Sequence, residues 1–165
     1  MPEAEMVFCG IDVGTQGARC VLVTERGEVA GEGESAFRTP AVEGLPQGWF
    51  EQKSEVWLDA TADAVCAAVR RLRSSAKALP VGAIGVTSTS GTLCAVTADG
   101  RPLGEAIMYN DSRSKTEAQA VQAAGEALAA SLGYRFNASF GLPKILWLKN
   151  CRTTLFAQAR YFISP

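Results

Sequence analysis

The sequence predicts an α/β fold: a mixed sheet with helices on its faces. Three observations predict it. Three strand-like apolar runs follow one another near the start, separated only by short glycine-bearing turns. A long stretch with helical spacing comes next. After it, short strands give way to helices.

Met6 to Asp12 reads as a buried strand and Ala18 to Thr24 as a second, joined as a hairpin by the glycine turn between them. Glu25-Arg26-Gly27-Glu28 is the next turn. Val29 to Phe37 is a third strand, weakened by Gly31 and Gly33. Residues 38–52 hold Pro40, Gly44, Pro46 and Gly48 and read as a loop. Ser54 reads as a helix N-cap. Val56, Trp57, Ala60, Ala64, Val65, Ala68, Val69 and Leu72 then recur at helical spacing, and Arg70, Arg71 and Arg73 complement the dipole of the last turn.

Past Pro80, Val81 to Val86 reads as a buried strand, residues 87–92 as a polar loop and Leu93 to Val96 as a strand. Asp99-Gly100 marks a hairpin turn before a short strand, Ala106 to Tyr109. Asp111 or Ser112 caps a helix running to about Ala124, and another covers Glu126 to Leu132. After a loop at 133–142, Pro143 opens a helix through Leu148. Thr153 to Phe162 is expected to be helical. Trp57 and Trp147 lie on apolar helical faces and are expected in the core. No internal repeat, low-complexity tract or linker interrupts the 165 residues, which are one domain or part of one.

Composition narrows the function. The chain is 47% hydrophobic with a formal net charge of −1 and scattered Lys and Arg. That argues against a nucleic-acid surface or a polybasic membrane patch. No apolar run reaches transmembrane length, and the acidic start lacks the pattern of a secretory signal, so a cytosolic (cytoplasmic) location is expected. The five cysteines are widely spaced without a C-x-x-C and read as reduced, buried thiols. The absence of histidine excludes Ser-His-Asp and Cys-His nucleophiles and H-E-x-x-H zinc sites within these residues.

Two segments carry chemistry. Gly10-Ile-Asp-Val-Gly-Thr-Gln-Gly-Ala-Arg19 sets a carboxylate and a glycine-punctuated turn between apolar runs. Such a turn brings backbone N–H groups close to a phosphate, and Asp12 can hold a hydrated cation beside it. Gly14 and Gly17 permit tight geometry, Thr15 and Gln16 can donate to phosphate oxygens, and Arg19 adds a fixed charge. The same spacing also suits an ordinary hairpin in which Asp12 bonds its own turn. No Walker-type phosphate loop occurs. The second segment is Tyr109-Asn-Asp-Ser-Arg113, after a strand and before a helix. Together the two point to phosphoryl transfer.

Gly10–Arg19 resembles the first phosphate-binding segment of the FGGY-family carbohydrate kinases, within the sugar kinase/actin/Hsp70 superfamily. Four further stretches resemble family segments in the same order: Gly48-Trp-Phe-Glu-Gln52, Ala83–Thr92, Asp99–Arg113 ("D-G-x-P-L…A-I-x-W-N-D-x-R") and Pro143–Leu148. The resemblance implies an actin-like (ribonuclease H-like) domain of a two-domain kinase, with ATP and Mg2+ as co-substrates. Asp12 would hold the metal through water; Gly14, Thr15, Gln16 and Arg19 would face the transferred phosphate. Thr89, Ser90, Gly91, Asn110, Asp111 and Arg113 would bind the sugar. Alternatives stay open: a solvated loop at 87–92, a helix-capping Asp111 with a surface Arg113, and packing roles for Trp49, Glu51 and Gln52. Many xylulose kinases carry Gln-Met-His-Gly where this chain has Thr89-Ser90-Gly91-Thr92. With Tyr109 in place of a common Trp, the pattern looks closer to ribulose- and ribitol-type kinases. A pentulose or pentitol such as D-ribulose is therefore expected, with xylulose the alternative. The family's catalytic aspartate and ATP-binding domain come further downstream. Residues 1–165 are thus expected to be an N-terminal fragment of the kinase domain, inactive alone, and the full-length protein is open to being a homodimer. The rivals are a non-catalytic sugar-binding or interaction module and an actin/Hsp70-like ATPase segment.

Overall fold

The computed structural model describes residues 5–38, 42–74 and 79–165. The chain folds as two compact units, Met1–Thr39 with Glu55–Ser88, and Pro40–Ser54 with Thr89–Pro165.

The first unit is a four-stranded mixed sheet with one helix. β1 (Val7–Val13), β2 (Gly17–Thr24) and β3 (Val29–Ala36) form an antiparallel meander, and β5 (Val81–Ser88) joins β1 in parallel, giving the order β3-β2-β1-β5. Helix α1 (Glu55–Ser74) makes the crossover that a parallel pair requires. It lays Ala60, Ala64, Ala68 and Leu72 on the sheet face carrying Val7, Cys9, Ala18, Cys20 and Leu22. Small residues on both surfaces set this contact. A methyl group at Gly31 would overlap the carbonyl oxygen of Ala68, and one at Gly33 that of Ala64. The two glycines that weaken β3 by propensity are what let the helix backbone approach it.

β5 corrects the sequence reading. It is apolar but not buried: Ile84 and Val86 are each 65% exposed. It lies at the sheet edge, whereas α1 packs chiefly on β2 and β3. Ser54 stands where a cap was expected, yet its Oγ is buried with no hydrogen-bond partner among the described residues. Cys9, Cys20 and Cys94 are buried as expected, but Cys66 and Cys151 are exposed. Burial, with the Cys9 sulfur 3.5 Å away, pushes the Cys20 thiol up to about 12.

The second unit is built from short pairings and helices. β4 (Glu51–Gln52), inside the expected loop, pairs with β7 (Ala106–Ile107), and β6 (Cys94–Val96) pairs with β8 (Tyr161–Ile163). α2 (Lys115–Ala124), α3 (Glu126–Leu132), α4 (Gly141–Cys151) and α5 (Thr153–Gln158) complete it. The expected helix at 153–162 ends early because its last residues pair with β6 instead. Pro143 falls in the first turn of α4, where a missing N–H costs nothing. The core holds Leu93, Ala95, Ile107, Leu148 and Trp147; Trp57 of α1 is also buried, as expected.

Candidate functional site

In the first unit the candidate residues Asp12 and Arg19 stand on the sheet face opposite α1. Alternation along β1 turns Val7, Cys9 and Val13 to the core, and Gly10 and Asp12 therefore face the other way. Asp12 pairs across to Arg19 on β2 and lies beside Thr87 on β5. Its carboxylate is 48% exposed and 3.8 Å from the Arg19 guanidinium, itself 75% exposed. Gly10, Asp12, Arg19, Val21, Gly85 and Thr87 line a groove of about 740 Å3 over this face. Glycine at 10 and 85 keeps side chains out of it.

The hairpin that follows Asp12 closes as expected. Gly14 N donates to the Gly17 carbonyl at 2.9 Å, and Phe37 N donates to that of Gln16 at 2.8 Å. A Cβ at Gly17 would overlap the Ser35 carbonyl, so this position is fixed by contact with β3. Thr15 and Gln16 are exposed at the tip. Among the described residues no hydrogen bond joins the Asp12 side chain to its own turn; its contact is the Arg19 guanidinium. Among the described residues no three acidic, Cys or His side chains cluster as a metal cage. One exposed carboxylate beside a groove fits Mg2+, which keeps most of its waters and takes few protein ligands.

In the second unit, one segment divides into an outward and an inward half. Tyr109 and Asn110 are exposed, whereas the side chains of Asp111 and Arg113 are 0% and 2% exposed. Asp111 accepts from Phe50 N (2.6 Å), Arg113 N (2.8 Å), Arg113 Nε (2.9 Å) and Arg113 Nη2 (2.7 Å). Arg113 Nη1 donates to Glu51 at 2.6 Å. The guanidinium lies 3.8 Å over the Trp49 ring, which meets Trp147 edge-to-face at 5.4 Å. Asp111 therefore does not cap α2, whose N-cap position is Ser114, and Arg113 is not a surface residue. Both tie the 48–52 stretch to the 109–114 stretch from inside. Trp49 and Glu51, whose packing role the sequence left open, are part of this knot, and Phe50 joins it through its backbone N–H.

The Ser/Thr loop shows a similar division. Ser90 is exposed and Thr89 half-buried, but Thr92 is buried and its Oγ1 accepts from Tyr109 N at 3.2 Å. Gly91 has φ +79°, and a Cβ there would overlap the Ser139 carbonyl. Glycine is required on both counts. Sequence reasoning missed Lys144, which is fully buried; its Nζ donates to the Ala138 carbonyl at 2.7 Å. Its signals were a lysine inside an apolar helical run and its place in the Pro143–Leu148 stretch that resembles a family segment.

Residues 7–165 match the model of the FGGY family of carbohydrate kinases, N-terminal domain. The xylulose kinase of Bacillus subtilis is 29% identical over 157 residues, 94% of this chain and 30% of that protein. The D-ribulokinase of Saccharomyces cerevisiae is 25% identical over 178 residues, 99% of this chain and 24% of that protein. The crystal structure of a xyloylose kinase from Brucella ovis superposes with TM-score 0.83 at 26% identity, covering 96% of this chain and 32% of that one. The chain thus spans under a third of the length of these relatives. The expected actin-like fold stands, since these neighbours share it. This chain belongs to the FGGY family of carbohydrate kinases and carries its N-terminal domain.

Proposed function

We propose that the full-length protein carrying this domain transfers the γ-phosphate of ATP to a hydroxyl of a pentulose or pentitol, with D-ribulose the preferred type. The observation that carries this reading is the Asp12–Arg19 pair on an open, glycine-floored sheet face directly before an exposed turn. Asp12 would orient the water shell of Mg2+, which supplies charge neutralisation on the phosphate when bound. Gly14, Thr15, Gln16 and Arg19 would hold phosphate oxygens. Positioning and electrostatics of this kind carry most of phosphoryl-transfer catalysis.

On the sugar side, Thr89, Ser90, Gly91 and Asn110 supply exposed or half-exposed backbone and side-chain partners. Asp111 and Arg113 act by holding their segment from behind. On this reading catalysis needs the remaining length that the relatives carry, and the 165 residues alone turn over no sugar. No helix among the described residues is long and apolar enough to cross a membrane. A small-molecule sugar is the partner proposed, with neither nucleic acid nor membrane, a cytoplasmic setting, and a homodimer as the oligomer to look for.

The names of the relatives support a second reading, xylulose kinase. The loop argument favours ribulose. A site that bonds each hydroxyl strands a buried polar group when the epimer enters, at about 1–3 kcal/mol. The test is kcat/KM of the full-length protein for D-ribulose, ribitol, D-xylulose and glycerol. D-ribulose or ribitol should exceed D-xylulose by roughly tenfold. The reverse order would sink the loop argument and leave the family intact. ADP formation with none of them would favour a non-catalytic sugar-binding module.

A further inference from the structure

Lys144 has no task in the chemistry proposed above, yet it is the largest completely buried side chain among the described residues. An ammonium is costly to bury unless its charge and donors are used. Burial pushes the amine down to about 8, against the nearby Asp111 carboxylate, which favours its charge, and with help from the Arg113 guanidinium, which opposes it; it remains a cation at neutral pH. What the nitrogen grips is the Ala138 carbonyl, at 2.7 Å. Ser114 Oγ approaches the same oxygen at 3.4 Å.

That carbonyl belongs to a tight turn. Ser139 N donates to Asn137 Oδ1 at 2.8 Å, and Phe140 N to the Asn137 carbonyl at 3.2 Å. The next carbonyl along, that of Ser139, is the one Gly91 abuts. Tyr109 is a second neighbour of Gly91: its Cβ would be 3.7 Å from the same added Cβ. Gly91 therefore packs against both the 137–140 turn and the Tyr109 segment, and the Thr92–Tyr109 hydrogen bond ties its loop to the latter.

We propose that Lys144 is a positioning residue for the Thr89–Thr92 loop: by fixing the Ala138 carbonyl it fixes the Ser139 carbonyl, and that carbonyl sets the backbone of Gly91. The role in substrate binding rests on the reading of this loop as sugar-contacting; the mechanical coupling does not. Lys144 touches no reacting atom. It determines how rigidly Thr89 and Ser90 present their hydroxyls.

Lys144→Met keeps the volume and removes the donor. Native-state hydrogen exchange on the chain, followed by NMR, reads the coupling at two reporters. Leu93 N is bonded to the Ile107 carbonyl, and Tyr109 N to Thr92 Oγ1. Both amides, with Phe140 N, should exchange roughly tenfold faster or more, while β1–β3 amides stay unchanged. Faster exchange at Phe140 alone overturns the proposal, as does no change at any of the three. Should Lys144→Met fail to fold, Ser114→Ala removes the other donor to the same carbonyl and must show the same pattern at smaller amplitude; loosening of Phe140 without Leu93 and Tyr109 again overturns it.

In the full-length protein, Lys144→Met should raise the sugar KM about tenfold with kcat and the ATP KM nearly unchanged, because uniform binding is lost. A purely structural lysine would lower the melting temperature and leave that ratio alone. If the wild type phosphorylates no sugar, the functional reading fails while the exchange result still decides the coupling.

Discussion

Replacing Asp111 by alanine removes the acceptor of four hydrogen bonds at once. Two come from the Arg113 guanidinium and two from the backbone N–H groups of Phe50 and Arg113. The carboxylate is fully buried and the guanidinium nearly so, so water cannot replace what is lost. Removing one partner of a buried ion pair costs about 3–5 kcal/mol, because the other charge is stranded. A buried N–H left without an acceptor adds about 1–3 kcal/mol. Glu51 still holds one nitrogen of Arg113, and Trp49 still faces its plane, which softens the loss. A cost of about 4 kcal/mol is therefore expected, a large share of the 5–15 kcal/mol that stabilises a typical domain.

The assay is urea denaturation in a Trp57→Phe background, so that emission reports Trp49 and Trp147 of the second unit alone. Asp111→Ala/Arg113→Met should be more stable than Asp111→Ala, since the Arg113 guanidinium is no longer stranded; Glu51 loses a partner but keeps contact with solvent. A loss under about 1 kcal/mol, or a double variant no better than the single, would refute the view of Asp111 as the organising acceptor.

Gly33→Ala should destabilise the first unit by about 1–3 kcal/mol through overpacking against Ala64, whereas Gly85→Ala, with nothing within 4 Å, should be nearly neutral; thermal melts of the two decide it. In the full-length protein Asp12→Ala should lower kcat by about a hundredfold or more and shift stability by under about 0.5 kcal/mol, because its ion pair is long and exposed; normal kcat at saturating Mg2+ would make Asp12 a turn residue only. The lowered pKa of Lys144 gives a pH signature. The unfolded chain binds the extra proton between pH 8 and 10.5, so stability from this group rises with pH across that window, by at most about 3 kcal/mol, and Lys144→Met should flatten the rise in a series of urea midpoints.

Local geometry was legible in the sequence. Asp12 was read at the end of an apolar strand, and it does stand near the end of β1, on the face opposite Val7 and Cys9. The glycine turn after it could only be short, and it closes as a hairpin. The alanine ridge of α1 announced its buried face.

What the sequence could not carry was the partner of each surface. β5 has the composition of a buried strand, and only the strand order puts it at an edge with Ile84 and Val86 in the open. The last turn of the expected 153–162 helix became β8 because β6 offered it backbone partners distant in sequence. Asp111 and Arg113 look alike as exposed ligands or as caps until Phe50, Glu51 and Trp49, some sixty residues earlier, are brought beside them. Lys144 is a mid-helix lysine until Ala138 folds back over it. Periodicity fixes which way a side chain points from its own element; what it meets there depends on long-range packing, and burial, charge state and role follow from that meeting.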